Sequence, residues 1–113
     1  NYWLPDMFID THTTDGADYQ YTITYGVTKH KNFTKLQRNW ARNVFSPFVE
    51  SEVTKAGYLI APYSYPIADN FSNGIADWVP SPRYSHGYAA VRNRFGLLIE
   101  THMLKPFKDR VFA

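Results

Sequence analysis

The fold of this chain is decided by the stretch Gly96-Leu97-Leu98-Ile99-Glu100-Thr101-His102, an apolar run that leads into a carboxylate. An earlier stretch, Ile9-Asp10-Thr11-His12, has a similar form and ends in a histidine. Both stretches predict buried β-strands. The strand before His12 is predicted over residues 6–11, and the strand that contains Glu100 over residues 97–101. Open α/β sheets place functional groups at the carboxyl ends of their strands. We therefore expect His12 and Glu100 to meet at one rim of a sheet.

The two ionisable residues suggest metal-assisted hydrolysis. A neutral imidazole is a common zinc ligand, and a nearby carboxylate can act as the general base. Carboxylates at Asp10, Asp15 and Asp18 favour the ligand interpretation of His12, because ligand histidines are commonly oriented by such groups. The simpler interpretation is a hydrogen-bonded structural histidine, which is the more common role for a lone histidine after a strand.

Glu100 also has a simpler interpretation. A carboxylate in a buried strand is costly unless it is paired or functional, and Arg92 or Arg94 would serve as its salt-bridge partner. His102 shares a strand face with Glu100 because side chains alternate. We expect His102 to be a hydrogen-bonded neighbour of Glu100, not a ligand.

Composition excludes several classes of function. The chain has 113 residues, a net charge of +2, 18% aromatic residues and no cysteine. Such a chain is too aromatic to be disordered, and it has neither disulfides nor thiolate metal sites. Its cations are scattered among acids and no apolar run approaches a membrane span, so we expect no nucleic-acid partner and no membrane partner.

Periodicity predicts the elements between the two decisive strands. Residues 19–27 alternate and predict a half-buried strand. A helix over residues 33–56 is predicted to begin at an Asn32 cap, with a kink at Pro47 and Ser46 capping its second half, and to end before Gly57. It should cover the sheet with an apolar stripe: Phe33, Leu36, Trp40, Val44 and Phe48.

Turn residues predict the rest of the chain. Residues 58–63 form a strand that Pro62 places at an edge or at its end. A long ordered loop over residues 64–85 then includes a short helix at residues 75–79, and loops of this length are usually functional. Ser85 caps a helix over residues 87–93, and Pro106 opens a final helix. The fold class is α/β, with a partial mixed β-sheet of about four strands flanked by helices.

The segment Pro82-Arg83-Tyr84-Ser85-His86-Gly87-Tyr88 holds further candidates. Tyr84 or Tyr88 can donate a hydrogen bond to a developing oxyanion, and Arg83 can clamp a substrate carboxylate. Ordinary packing of the tyrosines and a surface salt bridge of the arginine are the simpler interpretations.

At these residues the sequence resembles the zinc carboxypeptidase family, the carboxypeptidase A-like metallopeptidases. Residues 82–88 are similar to a Pro-Arg-Tyr-Ser-x-Gly-Tyr segment of bacterial members, and residues 74–78 to the family's Gly-x-x-Asp-Trp loop. The strands that end near His12 and Glu100, with an aromatic strand after the first and a helix after the second, extend the resemblance over nearly the whole chain.

The resemblance implies a role for most of the candidates. His12 would be the third zinc ligand, Glu100 the catalytic base, and Tyr84 or Tyr88 the tyrosine that contacts a peptide substrate with a free C-terminus. The family's first two zinc ligands lie in an upstream His-x-x-Glu, which this sequence lacks. The family's arginines and asparagine that bind the substrate carboxylate and stabilise the oxyanion lie upstream and are also missing here. Residues 1–113 therefore resemble the C-terminal portion of one catalytic domain, and both ends of the chain indicate a cut sequence.

Three expectations follow for such a half domain. The chain alone would be inactive and would hold zinc only weakly, because one imidazole leaves most of the coordination sphere to water. An uncovered sheet edge or helix face would invite self-association. Two other functions remain open: a related zinc deacylase acting on amino-acid amides, and a non-catalytic aromatic-rich module that binds peptides or glycans. A binding module would expose four tyrosines that an enzyme half would pack: Tyr19, Tyr21, Tyr63 and Tyr65.

Overall fold

A computed structural model describes residues 3–14, 16 and 18–113, and it is built around a four-stranded mixed sheet. The spatial order of its strands is β1, β6, β2, β3, with the bounds β1 (Met7–Thr14), β2 (Ile23–Val27), β3 (Ile60–Pro62) and β6 (Phe95–His102). Two short strands, β4 (Tyr65–Pro66) and β5 (Ile75–Ala76), pair separately. The prediction of an α/β fold with a partial mixed sheet and flanking helices is confirmed.

Helical segments lie on both faces of this sheet. They are α1 (Lys35–Trp40), a π-helical turn (Ala41–Phe45), α2 (Ser46–Lys55), α3 (Ser85–Val91) and α4 (Phe107–Phe112), with 3₁₀ turns at Ile67–Asp69 and Phe71–Asn73. None of the helices in the described part of the chain is long and apolar enough to cross a membrane.

The strand register assigns each side chain to one of two faces. Strand β6 pairs in parallel with β1 and antiparallel with β2, which in turn pairs in parallel with β3. Because side chains alternate along a strand, one face carries Asp10, His12, Thr24 and Glu100 and packs under α3. We call this the α3 face. The opposite face, the α1–α2 face, carries Tyr25, Val27, Leu97 and Ile99.

The α1–α2 face holds the hydrophobic core. Its buried members are Tyr25, Val27 and Leu97 of the sheet and Ala41 of the π-helical turn. Phe95 joins the sheet to the helices, because its ring centroid lies 5.0 Å from that of Phe33 and 4.8 Å from that of Trp40. Burial of such side chains stabilises the fold by about 1.5–3 kcal/mol each.

The apolar stripe predicted for the long helix is largely wrong, because only Phe33 of its five members is buried. Leu36, Val44 and Phe48 are exposed, and Trp40 is only partly covered, whereas Ala41 and Phe45 face the core. For Val44 and Phe48 the π-helical turn explains this difference, because its wider turns shift the angular position of the residues that follow. Leu36 precedes that turn, and nothing in the structure explains its exposure. It lies directly before Pro47, which has no N–H to donate to the preceding turn.

The ends of this helix also differ from the prediction at one terminus. Thr34, not Asn32, is the N-cap, and it forms a capping box with Gln37. Ser46 is the first residue of α2 and caps nothing with its side chain. At the C-terminus Gly57 is the predicted stop: it has φ +91°, and the Tyr58 amide donates to the Val53 carbonyl at 3.2 Å, which is a Schellman arrangement.

All four predicted strands form, but their extents differ from the prediction, and the two short strands β4 and β5 were not predicted. Strand β1 continues to Thr14 and lies exposed at an edge of the sheet, so it is not the buried strand that its apolar residues predicted. Strand β2 begins only at Ile23 and is buried on both faces, since α3 covers one of them. Pro62 ends β3 at the other edge, as predicted.

Two predicted helical features are wrong. Residues 75–79 hold strand β5, not a helix, because Ile75 pairs with Pro66 in the small two-stranded sheet. Ser85 is the first residue of α3 and does not cap it; Tyr84 is the N-cap and makes no side-chain hydrogen bond to the helix. The Ser85 hydroxyl is instead bonded to the sheet.

Candidate functional site

The structure brings His12 and Glu100 together. They are register partners in the parallel β1–β6 pair, so both side chains leave the same face of neighbouring strands about 4.8 Å apart. The His12 side chain is 53% exposed, while Glu100 is half-buried. Both residues lie two positions before the ends of their strands, because β1 and β6 continue to Thr14 and His102.

Asp10 orients the His12 ring. Its Oδ2 atom lies 2.9 Å from Nε2 of His12, and the same oxygen accepts a hydrogen bond from the Ser85 hydroxyl at the start of α3. The Ser85 hydrogen bond, followed by the hydrogen bond and charge of His12, lowers the pKa of Asp10 against the opposing effect of burial. With Nε2 held in this way, Nδ1 is the ring nitrogen that His12 has left for a ligand.

Glu100 has a polar neighbour on its other side as well. Thr24 is its register partner in the antiparallel β2–β6 pair, so His12, Glu100 and Thr24 form one row across the α3 face. Thr24 is buried, and its Oγ1 has no hydrogen-bond partner among the described residues. A buried hydroxyl in that state is rare in native folds.

Two buried histidines border this row. Burial lowers the pKa of His86, and the charge of Asp10 only partly opposes that effect. His102 is fully buried: its Nδ1 lies 3.0 Å from Oγ1 of Thr14, and Tyr19 packs on its ring with centroids 4.6 Å apart. Burial, and to a lesser degree the charge of Lys105, lowers the pKa of His102. His102 shares the strand face of Glu100 as predicted, but it is only partly hydrogen-bonded, because its buried Nε2 has no hydrogen-bond partner within the ranges that the structure describes.

The loop candidates fall at different distances from this row. Tyr84 directly precedes Ser85, which contacts Asp10, and its ring packs edge-on against Trp78 at 4.5 Å. Tyr88, one turn further along α3, lines a cavity of about 350 Å³ together with Phe8. Phe8 precedes His12 by four residues, which is about 13 Å along a strand.

The remaining candidates are settled more simply. Arg83 is exposed just before α3. Arg94, one of the two suggested partners of Glu100, forms its ion pair with Asp6. Asp18 is exposed, and Asp15 lies outside the described residues. Residues 3–14, 16 and 18–113 contain no group of three or more histidine, aspartate and glutamate side chains arranged to hold a metal ion.

Sequence reasoning missed three members of the site, namely Thr24, Ser85 and His86. Thr24 was assigned to the polar face of a half-buried strand, and only the β2–β6 register places it beside Glu100. Ser85 was interpreted as a helix cap, although its hydroxyl bonds Asp10. The sequence carries no specific signal for His86. In the structure the adjacent Gly87 is packed so closely that a Cβ there would lie 2.1 Å from the Ser81 carbonyl oxygen.

Comparisons with known proteins add no evidence about the function of this chain. No protein-family model, no curated protein and no solved structure matches the chain.

Proposed function

We propose that this chain is the C-terminal portion of a zinc-dependent, carboxypeptidase-like hydrolase. It would supply one metal ligand, His12, and the general base, Glu100, while an upstream segment supplies the remaining ligands. The reaction is hydrolysis of the amide bond next to a free C-terminus. Zinc contributes the Lewis acidity that activates a water molecule in such sites.

The observation that carries the proposal is the register pairing of His12 with Glu100 on one face of the sheet. A base must lie within hydrogen-bond reach of the water that the metal holds. Neighbouring strands are about 4.8 Å apart, so a water molecule on a metal held by His12 would lie beside the Glu100 carboxylate. A shift of one residue in the register of the two strands would have placed the two side chains on opposite faces of the sheet.

The surroundings of His12 fit a ligand better than a structural histidine. Its side chain is 53% exposed, and Asp10 holds Nε2, which leaves Nδ1 as the ring nitrogen that would coordinate the metal. A carboxylate behind a ligand histidine sets the tautomer and raises the basicity of the ring. Ser85 holds Asp10 in turn, so α3 positions the whole series of groups.

The α3 helix also favours Tyr84 over Tyr88 as the substrate-contacting tyrosine. Tyr84 directly precedes Ser85, the residue of α3 that touches Asp10, whereas Tyr88 is one turn further along the helix and lines a cavity with Ser85 and Phe8. We propose that Tyr84 donates to the substrate carbonyl as charge develops there, and that Arg83 beside it receives the substrate carboxylate.

The burial of the tyrosines supports an enzyme portion more than a binding platform. Tyr19, Tyr21 and Tyr63 are half-buried, and only Tyr65 is exposed. Trp78, which a stacking surface would present to solvent, packs between Tyr63 and Tyr84 with centroids 6.1 and 4.5 Å away. The deacylase alternative shares the same groups and differs only in its substrate.

The test is a pair of substitutions in the complete enzyme that contains this chain and its upstream ligands. Glu100→Gln should lower kcat by ~10²–10⁴-fold with zinc still bound, because an amide keeps the shape of the carboxylate but accepts no proton. His12→Ala should remove zinc and activity together. Elemental analysis and turnover are measured on both variants, with the exposed α2 residue changed in Glu52→Gln as the control.

Two substrates separate the related reactions. Faster cleavage of a peptide with a free C-terminus supports a carboxypeptidase, and faster cleavage of an N-acyl amino acid supports the deacylase. Near-normal turnover of Glu100→Gln would show that Glu100 is a structural carboxylate and would refute the proposal. Absence of hydrolysis by the unmodified enzyme would favour the binding module.

A further inference from the structure

A second cavity lies on the opposite side of the sheet from His12 and Glu100. It opens between β2 and the α1–α2 segment, has a volume of about 600 Å³, and is therefore within the size range of small-molecule sites. Its polar lining comes from both elements: Tyr25, Lys29, Arg38, Asn39, Arg42 and Ser46.

The charge of this lining is unbalanced. Lys29, Arg38 and Arg42 contribute three cations, and Asp77 is the acid that lines the cavity with them. Lys29 and Asp77 neutralise each other, because the ammonium nitrogen lies 2.7 and 2.9 Å from the two carboxylate oxygens. The two guanidinium groups are left without a carboxylate from the cavity wall.

The two arginines differ in a way that suits anion binding. Arg38 donates to the backbone carbonyls of Phe33 and Lys31, which fix its orientation and leave its charge in place. The Arg42 side chain makes no hydrogen bond or ion pair with another described residue. Guanidinium groups are well suited to carboxylate and phosphate oxygens because their donors form a planar fork.

The helix itself supplies an independent indication. Arg38 and Arg42 are four residues apart, and like charges at that spacing destabilise a helix unless a counter-charge lies nearby. Arg42 also belongs to the π-helical turn. Such turns are rare, interrupt the regular hydrogen bonding of the helix, and occur frequently at functional sites.

We propose that this cavity is a binding site for a small anion that carries at least two negative charges, as carboxylate or phosphoryl groups. Arg42 and Arg38 would hold the anion, and Asn39 and Ser46 would hydrogen-bond to its remaining oxygens. The Lys29–Asp77 pair closes one end of the cavity. The site uses none of the residues of the proposed hydrolytic centre, so the two proposals fail or succeed separately.

The test titrates the 113-residue chain with inorganic pyrophosphate and, separately, with citrate, using isothermal calorimetry at low and moderate salt. Saturable binding of one probe is expected, and Arg42→Gln should weaken it at least tenfold. Arg92→Gln, an equal loss of charge on the other side of the sheet, should change the affinity by less than twofold. Arg38→Gln should also weaken binding, with circular dichroism used to verify its fold.

Each outcome has a definite meaning. Tighter binding of pyrophosphate assigns a phosphoryl ligand, and tighter binding of citrate assigns a carboxylate. An equal loss in Arg42→Gln and Arg92→Gln would show unspecific attraction and overturn the site. The site is equally overturned if neither probe binds to the unmodified chain.

Discussion

The two faces of the sheet are built by different means, although the same central strand supplies both. On the α1–α2 face, Leu97 and Ile99 of β6 pack with Tyr25, Val27 and Phe95 into a continuous apolar core. On the α3 face, the alternate residues of β6 include Glu100 and the fully buried His102. One face gains stability from burial, and the other holds ionisable groups whose burial costs stability.

The contrast extends to how closely the helices approach. Large side chains separate the helices from the α1–α2 face, whereas α3 lies almost on the backbone of the sheet at Gly96. Glycines permit such an approach because they have no Cβ. The close contact of α3 brings Ser85 to Asp10 and so connects the helix to His12. This face also contributes to packing, because the same close contact buries three apolar side chains: Leu98 of β6 and Ala89 and Ala90 of α3.

The largest expected effect comes from breaking the close approach of α3. A Cβ on Gly96 would lie 2.6 Å from Cα of His86 and 2.9 Å from its carbonyl oxygen, so Gly96→Ala forces backbone to move. We expect it to destabilise the fold by about 3 kcal/mol, near the upper end for overpacking.

Gly26→Ala is the matched control for this change, because it lies on the same face with its nearest atoms in ordinary contact at 3.5 Å. Urea unfolding of both variants measures the difference. Equal stability of the two variants would contradict the described position of α3.

A smaller effect tests the one strong polar contact of the α1–α2 face. The Tyr25 hydroxyl donates to Oε1 of Glu50 at 2.6 Å, and burial together with this hydrogen bond raises the pKa of Tyr25 to about 12. Tyr25→Phe should cost about 1 kcal/mol, since it removes one hydrogen bond and keeps the ring.

The double variant Tyr25→Phe/Glu50→Ala distinguishes this hydrogen bond from general packing, because alanine leaves no acceptor at position 50. If the pair interacts, the two single costs should not add in urea unfolding. Full additivity would show that the hydrogen bond contributes nothing measurable.

The smallest expected effect is a dependence of stability on pH, which comes from the α3 face. Burial lowers the pKa of His102 below its ordinary value of 6.5, so the unfolded chain takes up its proton first as the pH falls. The stability that neutral His102 contributes is therefore fully present above pH 6.5. It is lost as the pH falls through the lower pKa of His102 in the folded state.

His102→Gln should reduce the change of the unfolding midpoint between pH 8 and pH 5.5, and His86, whose pKa burial also lowers, should account for a part that remains. His30→Gln, at a half-exposed position away from α3, serves as the control. It should leave the dependence of the unfolding midpoint on pH unchanged. A slope that His102→Gln does not change would assign the pH dependence to other groups.

Much of the fold could be predicted because local patterns and tertiary structure agree there. The apolar runs before His12 and Glu100 both form strands, Pro62 ends an edge strand, and Gly57 ends the long helix through its positive φ. Each of these features depends on a residue's own conformational preference or on alternation, which the sequence displays directly.

The errors occur where one element depends on another. The prediction that Val44 and Phe48 face the sheet is wrong because a π-helical turn shifts the helical phase. No short sequence pattern indicates such a turn. The row of His12, Glu100 and Thr24 could be predicted only in part, since the place of Thr24 depends on the register of two strands far apart in sequence. Ser85 was misassigned because its partner, Asp10, is 75 residues away.

The central claim is that His12 and Glu100 form part of one metal site, and cobalt(II) tests it directly on this chain. Co²⁺ binds the ligands that zinc prefers, and its paramagnetism broadens the NMR signals of nearby nuclei. One imidazole should give weak binding that broadens residues 10–13 and 99–101 first, and His12→Ala should abolish this broadening while His30→Ala leaves it. Broadening that centres elsewhere, or that survives His12→Ala, would contradict the account.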